Sequence, residues 1–260
     1  MAEAPAIDAP ADALVVELAL RMGDNALILG HRNSEWCGHA PVLEEDIALA
    51  NMALDLIGQT RLWLGLAGEI EGRGRSADDL AFLRDARAFR NVLLVELPNG
   101  DFGRTLMRQF LFDAWHLPML KGLEASRAPR VAEIAEKAAK EVAYHLERST
   151  DLVIRLGDGT AESRRRMQDA LDGLWRYTGE LTAPDATDAA LAAAGLAPDL
   201  AAVAAAAQAH VEATLRAATL RPPEAGWMQR GGKAGLHTEH LGYVLAEMQF
   251  LQRAYPGATW

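Results

Sequence analysis

Apolar residues recur along this chain at steps of three and four, the spacing of a single helix face, over almost its whole length. A first helix is predicted from near Asp12 to just before Gly30. The glycines and proline of Gly30-His31-Arg32-Asn33-Ser34-Glu35-Trp36-Cys37-Gly38-His39-Ala40-Pro41 predict a compact loop. From Val42 to about Gly68, Leu43, Ile47, Ala50, Leu54 and Ile57 form the stripe of a long amphipathic helix. Gly72-Arg73-Gly74-Arg75-Ser76 reads as a turn, and Ser76 with Asp79 three residues on has the form of a helix start. The next helix is expected over 79–97, carrying Leu80, Leu83, Phe89, Val92 and Leu93, and Pro98-Asn99-Gly100 breaks it.

Two longer helices follow, from about Phe102 to Ala125 and from about Pro129 to Leu156. Each has a polar interruption on its apolar face. In the first, Asp113 stands among Leu106, Phe110, Leu117 and Leu120; in the second, Glu141, His145 and Ser149 stand among Val131, Ile134, Ala138, Val142 and Leu152. A helix near Glu162 to Leu181, an alanine-rich helical stretch over 188–218 and a Pro/Gly/Trp segment over 221–232 come next. A last helix runs from about Thr238 to Tyr255, with Leu241, Val244, Leu245, Met248 and Leu251 as its stripe. With neither strand alternation nor a fixed-period repeat, the expectation is one all-α domain over 11–260, built on four to six long helices.

Composition agrees with that pattern. Half of the 260 residues are apolar and only 6% are aromatic, a mix dominated by Ala and Leu that favours helix over strand. The net charge of −10 is the wrong sign for a nucleic-acid partner. Cys37 is the single cysteine, so no internal disulfide forms, as expected of a cytoplasmic protein. The Ala/Pro-rich residues 1–10 lack the basic and apolar parts of a signal peptide and are expected to be disordered. No apolar run approaches the ~18 residues of a membrane span, so no membrane partner is expected.

The chemistry-bearing candidates lie on the two interrupted faces. Asp113 and His116 are three apart and Glu141 and His145 four apart, so each pair shares a helix face, and carboxylate with imidazole suits iron or manganese. A di-iron helical bundle, however, takes a Glu from each of two helices and a Glu-x-x-His pair from each of two others. Among the seven histidines only His116 follows a carboxylate by three; after Glu141 the corresponding residue is Tyr144. The stretch over 84–91, where a bundle would offer ligands, carries Arg84, Arg87 and Arg90 and no histidine. The expectation is a metal-free polar core in which those arginines pair with Asp113 and Glu141. The competing reading is a di-metal oxidase using Asp113, His116, Glu141, His145 and Asp46 or Asp55; a third is a helical adaptor.

Other constellations are weaker. His31, Cys37 and His39 match no zinc spacing and read as a packed loop. His237, Thr238 and His240 suit the start of the last helix. Gly231-Gly232-Lys233-Ala234-Gly235 has glycines but no P-loop spacing. Trp36, Trp227 and Trp260 lie off the regular stripes and are candidates for intermolecular contacts.

Several of these segments together resemble a known family. They are the run from Gly30 to Pro41, Leu49-Ala50-Asn51 with Leu54-Asp55-Leu56, Leu93-Leu94-Val95-Glu96 with Pro98-Asn99-Gly100, Asp113-Ala114-Trp115-His116, and Lys140-Glu141 with Tyr144-His145-Leu146. The most specific is Gly231-Gly232-Lys233-Ala234-Gly235-Leu236-His237-Thr238-Glu239-His240-Leu241-Gly242, followed by Leu245-Ala246-Glu247-Met248-Gln249. The chain resembles the structural C subunits of bacterial ring-1,2-phenylacetyl-CoA epoxidases, multicomponent di-iron monooxygenases. The resemblance implies a ferritin-like bundle with additional C-terminal helices. It implies pairing with a homologous catalytic subunit that holds the di-iron centre and phenylacetyl-CoA, alongside a small bridging subunit and a flavin/iron–sulfur reductase using O2 and NADPH. In that family the C subunit holds no metal, so Asp113, His116, Glu141 and His145 would be vestiges, and no catalytic or cofactor-binding residue carries over to this chain.

Overall fold

The computed structural model describes residues 9–224 and 226–258. Among them the regular elements are all helical. Two long antiparallel pairs make a ferritin-like bundle: α1 (Ala9–Ser34) lies along α2 (Leu43–Glu71), and α5 (Phe102–Leu123) along α6 (Pro129–Gly157). Short α3 (Ala77–Phe82) and α4 (Leu93–Glu96) bridge the pairs. The helices α7 (Ala161–Trp175), α8 (Gly179–Thr182) and α10 (Leu200–Ala217) wrap the α5/α6 side, α9 (Ala186–Ala193) packs on α1, and α11 (Glu239–Ala254) closes over α3 and α4. One apolar cluster runs through all of it, from Val15 to Leu245.

The helix ends follow local chemistry. Ser76 and Asp79 form a reciprocal capping box at the start of α3, as their spacing predicts. Asp101 caps α5 by accepting from Arg104 N, and Pro129 opens α6 at a position where its missing N–H costs nothing. Thr238 caps α11, which puts His237 and His240 at the helix start as expected.

Several sequence expectations need correction. Of the Ala/Pro-rich start, residues 1–8 lie outside the described residues, while Ala9 and Pro10 already belong to α1. That helix does not stop before Gly30 but continues to Ser34. Gly30 is a packing residue there: a Cβ on it would stand 3.2 Å from Leu56 Cβ, and a Cβ on Gly23, seven residues earlier, would stand 2.7 Å from Leu64 Cδ2. These two glycines let α1 sit close on α2.

The helix expected over 79–97 is broken into α3, a single 3-10 turn at 86–88, and α4. The backbone amides that would have made helical bonds are taken by side chains elsewhere. Arg90 N donates to Asp24 Oδ2, Val92 N to Asn25 Oδ1 and Leu93 N to Glu180 Oε2, each at 2.8 Å. Three buried acceptors from other helices outcompete the local ladder. Likewise the helix expected over 162–181 is two pieces, α7 and α8, and the alanine-rich stretch is α9 and α10, divided at Gly195, where φ is +67°.

The largest departure is in α2. The predicted stripe is outside: Leu43 is 71% exposed, Ile47 51%, Leu54 67% and Ile57 39%. The opposite face, with Leu49, Met52, Leu56, Trp63 and Leu64, is buried. The helix is apolar on both sides, and periodicity selected the wrong one as the core.

Candidate functional site

The polar interruptions of α5 and α6 meet facing residues of α1 and α2 in the bundle core. Asp113, His116, His145 and Ser149 are almost entirely buried. A relay of hydrogen bonds crosses the bundle: Asn33 Nδ2 donates to Gln109 Oε1 at 2.8 Å, Gln109 Nε2 to Asp113 Oδ1 at 2.7 Å, and Ser149 Oγ to Asp113 Oδ2 at 3.3 Å. Towards α2, His145 Nε2 lies 2.9 Å from Asp55 Oδ2, and Gln59 Nε2 donates to Glu141 Oε2 at 2.9 Å. Gln109 precedes Asp113 by one helical turn, so both project the same way.

Burial sets the protonation of this cluster. Desolvation pushes the Asp113 carboxyl up to about 7, against the opposing pull of His145 and of the hydrogen bonds from Gln109 and Ser149. Desolvation, with His145 adding to it, pushes His116 down to about 3. His116 is therefore neutral at physiological pH, and Asp113 is poised between its two forms.

The arginines expected beside Asp113 and Glu141 are elsewhere. Arg84 forms a buried ion pair with Asp24, donates to the carbonyls of Leu80 and Ala88, and lies 4.3 Å over the Phe89 ring. Arg90 reaches Glu17 at 3.6 Å, and Arg87 sits on the short turn after α3. Among the described residues Asp113 and Glu141 are held by neutral amide and hydroxyl donors, not by arginines. The reason is topological: residues 84–91 lie against α1, where Asp24 supplies the carboxylate.

These residues do not fit a di-iron centre. Such a centre needs four carboxylates and two imidazoles with free lone pairs converging on one point. Here Gln59 and Gln109 present amides, Glu141 and Asp113 accept from them, and His145 Nε2 is engaged by Asp55. Buried Nδ1 atoms of His116 and His145 have no hydrogen-bond partner among the described residues, but with Asp55, Asp113 and Glu141 as carboxylates and amides at Gln59 and Gln109 the set falls short of four carboxylates and two imidazoles. Asp46 is turned to the preceding loop, where Oδ2 accepts from Gly38 N at 2.8 Å and Ala40 N at 3.2 Å; those bonds lower its pKa. What the arrangement can do is hold one proton in the core and keep four helices in register.

A second polar centre, not anticipated from the sequence, ties the C-terminal glycine-rich segment to the bundle. Fully buried Glu96 accepts from Asn91 Nδ2 at 2.9 Å and from Thr238 N at 2.6 Å, and its Oε2 lies 2.8 Å from His237 Nδ1. Glu180 accepts from Gly231 N at 2.8 Å and Lys233 N at 3.3 Å. Lys233 points inward, donating to Asp188 Oδ2 at 3.0 Å and Ala183 O at 3.1 Å. Gly232 is obligatory, since a Cβ there would stand 2.0 Å from Asn91 O. Carboxylates inside otherwise apolar stretches, such as Leu93-Leu94-Val95-Glu96, were the available signal.

Of the tryptophans proposed for contacts, Trp36 is half-buried against its own chain, with Nε1 donating to Thr105 Oγ1 at 2.9 Å and its ring edge-on to Phe102. Trp227 is 76% exposed, and Trp260 lies outside the described residues. Cys37 is exposed and unpaired by any disulfide. Among the described residues no helix is long and apolar enough to cross a membrane.

Comparison with known proteins places this architecture. A family model described as phenylacetic acid catabolic protein matches residues 1–260. The chain belongs to this family. It is similar to the C subunit of 1,2-phenylacetyl-CoA epoxidase from Escherichia coli (strain K12), with 52% identity over 241 residues covering 93% of this chain and 97% of that protein. Within the family fold, the helices that bear Asp113, His116, Glu141 and His145 are the two whose apolar faces carry polar interruptions in the sequence.

Proposed function

We propose that this chain is a non-catalytic structural subunit of a phenylacetyl-CoA epoxidase of aerobic phenylacetate degradation. Its task is to bury a face of the homologous di-iron catalytic subunit and hold its helices in place. A small bridging subunit and a reductase complete the assembly, which works in the cytoplasm. The likeness to the C subunit of an epoxidase supports the assembly, and one observation supports the non-catalytic role. Glu141 and Asp113 accept hydrogen bonds from Gln59, Gln109 and Ser149, so the core places amides and a hydroxyl against them and each carboxylate ties one helix to another.

The apolar outward face of α2 supports the docking role, because a contiguous exposed patch of this kind marks a protein contact. The test is iron content and epoxidation measured on the isolated chain, on the isolated catalytic subunit, and on their complex. The expected result is stoichiometric iron in the catalytic subunit and the complex, with none in this chain. Near two irons per isolated chain, lost in Asp113→Ala, would make it a di-metal oxidase instead.

A further inference from the structure

The chain already shows how it seats one helix on another. Gly23 and Gly30 on α1 are seven residues apart, and they receive Leu64 and Leu56 of α2. Helix α2 has a second pair at the same spacing, Gly58 and Gly65, and among the described residues nothing lies within 4 Å of a Cβ built on either. At 100° per residue these glycines share a line with Leu43, Ile47, Leu54 and Arg61 along the outer face. Large apolar side chains stand at one end of that line and two open notches at the other.

The surroundings extend and charge this face. On the α6 side stand exposed Tyr144 and the half-exposed carboxylate of Asp55. On the other side Ile57 touches the Gly30 turn of α1, and the neighbouring His31 feels Glu247 of α11, whose exposed face carries Tyr243 and Phe250. Glu44 and Glu69 are exposed on α2 itself, and Arg61 is the cation within the line. Exposed carboxylates thus flank the line on α2 itself, with Lys140 and Arg148 one turn either side of Tyr144 on α6, so a partner that fits the α2 flank carries Lys or Arg beside its apolar residues.

We propose that the outward face of α2, from Leu43 to Gly65, seats one long helix of the homologous partner subunit, a helix with large apolar side chains seven residues apart and basic residues on its flanks. The inference rests on the reading under Proposed function and specifies the surface. Two residues at heptad spacing face the same way, and side-chain-free positions let two helix axes approach closely. The glycines are the specificity device: they cost α2 helix propensity, and among the described residues no neighbour packs against the space they leave.

The test uses the full-length chain and the catalytic subunit, with affinity measured by sedimentation or surface binding. Gly58→Leu and Gly65→Leu are expected to leave the isolated chain folded, with an equal or higher melting temperature, and to weaken the complex by ~100-fold or more. Gly58→Ala is expected to bind at an intermediate level. Glu44→Lys is expected to weaken association most at low salt. If the wild-type chain does not bind the catalytic subunit at all, the proposed function itself fails. If wild type binds and both leucine variants bind equally well, the function stands and this surface is wrong. If the wild-type chain instead forms a homodimer that Gly58→Leu abolishes, the occupant is a second copy and the inference is overturned.

Discussion

Gln109 Nε2 stands 2.7 Å from Asp113 Oδ1, an amide donor placed against a carboxyl that burial holds near half-protonation. His116, one turn further along α5, is held neutral by the same burial. In the unfolded chain the proton sits on the histidine between about pH 4 and 6.5; in the folded chain it sits on the aspartate. Both states then bind one proton, and this pair contributes no pH dependence in that window.

Single substitutions unmask the two halves. In Asp113→Asn only His116 titrates: its folded pKa is depressed, so its contribution is present above pH 6.5 and lost as pH falls towards 3. The stability of this variant should therefore rise with pH across that range, by up to about 1.4 kcal/mol per unit. In His116→Gln only Asp113 titrates: its folded pKa is raised, so its contribution is full below about pH 4 and lost as pH rises through 7. Urea unfolding at several pH values should give opposite slopes for the two variants relative to wild type. Parallel slopes would refute the proton assignment.

The Arg84–Asp24 pair is buried at both ends. Arg84→Met leaves Asp24 charged in the core beside the Arg90 amide, and is expected to cost roughly 3–5 kcal/mol. Adding Asp24→Leu should recover part of that loss, because the uncompensated charge goes with it. Thermal unfolding of both singles and the double measures the coupling, and additive losses would mean the pair is not the tether described.

Glu96→Ala removes the acceptor of Asn91, Thr238 N and His237 together. Each buried donor left without a partner costs about 1–3 kcal/mol, so the variant should be among the least stable single substitutions. Hydrogen exchange should show 231–238 losing protection before the α5/α6 pair does. Uniform loss across the chain would contradict a locally tethering role.

Gly232→Ala brings a methyl onto the Asn91 carbonyl, where 2.0 Å separates them. It should destabilise by about 2 kcal/mol or more and release the same segment. Gly58→Ala, with open space around it, should instead raise the melting temperature slightly. A substitution that stabilises at one glycine and damages at the other is a direct check on which glycines serve internal packing.

The long elements were readable because their apolar spacing has one interpretation: α5, α6 and α11 begin and end within a few residues of their predicted limits. So was the inward placement of Asp113 and His145, from their positions on apolar faces. Three things were hidden. The break after Phe82 depends on Asp24, Asn25 and Glu180, acceptors supplied from distant parts of the chain. The partners of Asp113 are amides and a hydroxyl, which carry no charge to pair by inspection. And α2 offers two apolar faces, between which periodicity alone does not choose.

The tether at Glu96 also orders events in time. Its carboxylate waits for an amide 142 residues further along, and Glu180 for Gly231 51 residues later. While the chain is being synthesised, both acids have been made before the donors that let them be buried without penalty. The bundle can assemble its long hairpins early, but closing the core around α4 is postponed until the glycine-rich segment arrives. The glycine-rich segment thus acts as a latch, and a ribosome that stalls before it leaves a product whose α4 region lacks the donors that seal it.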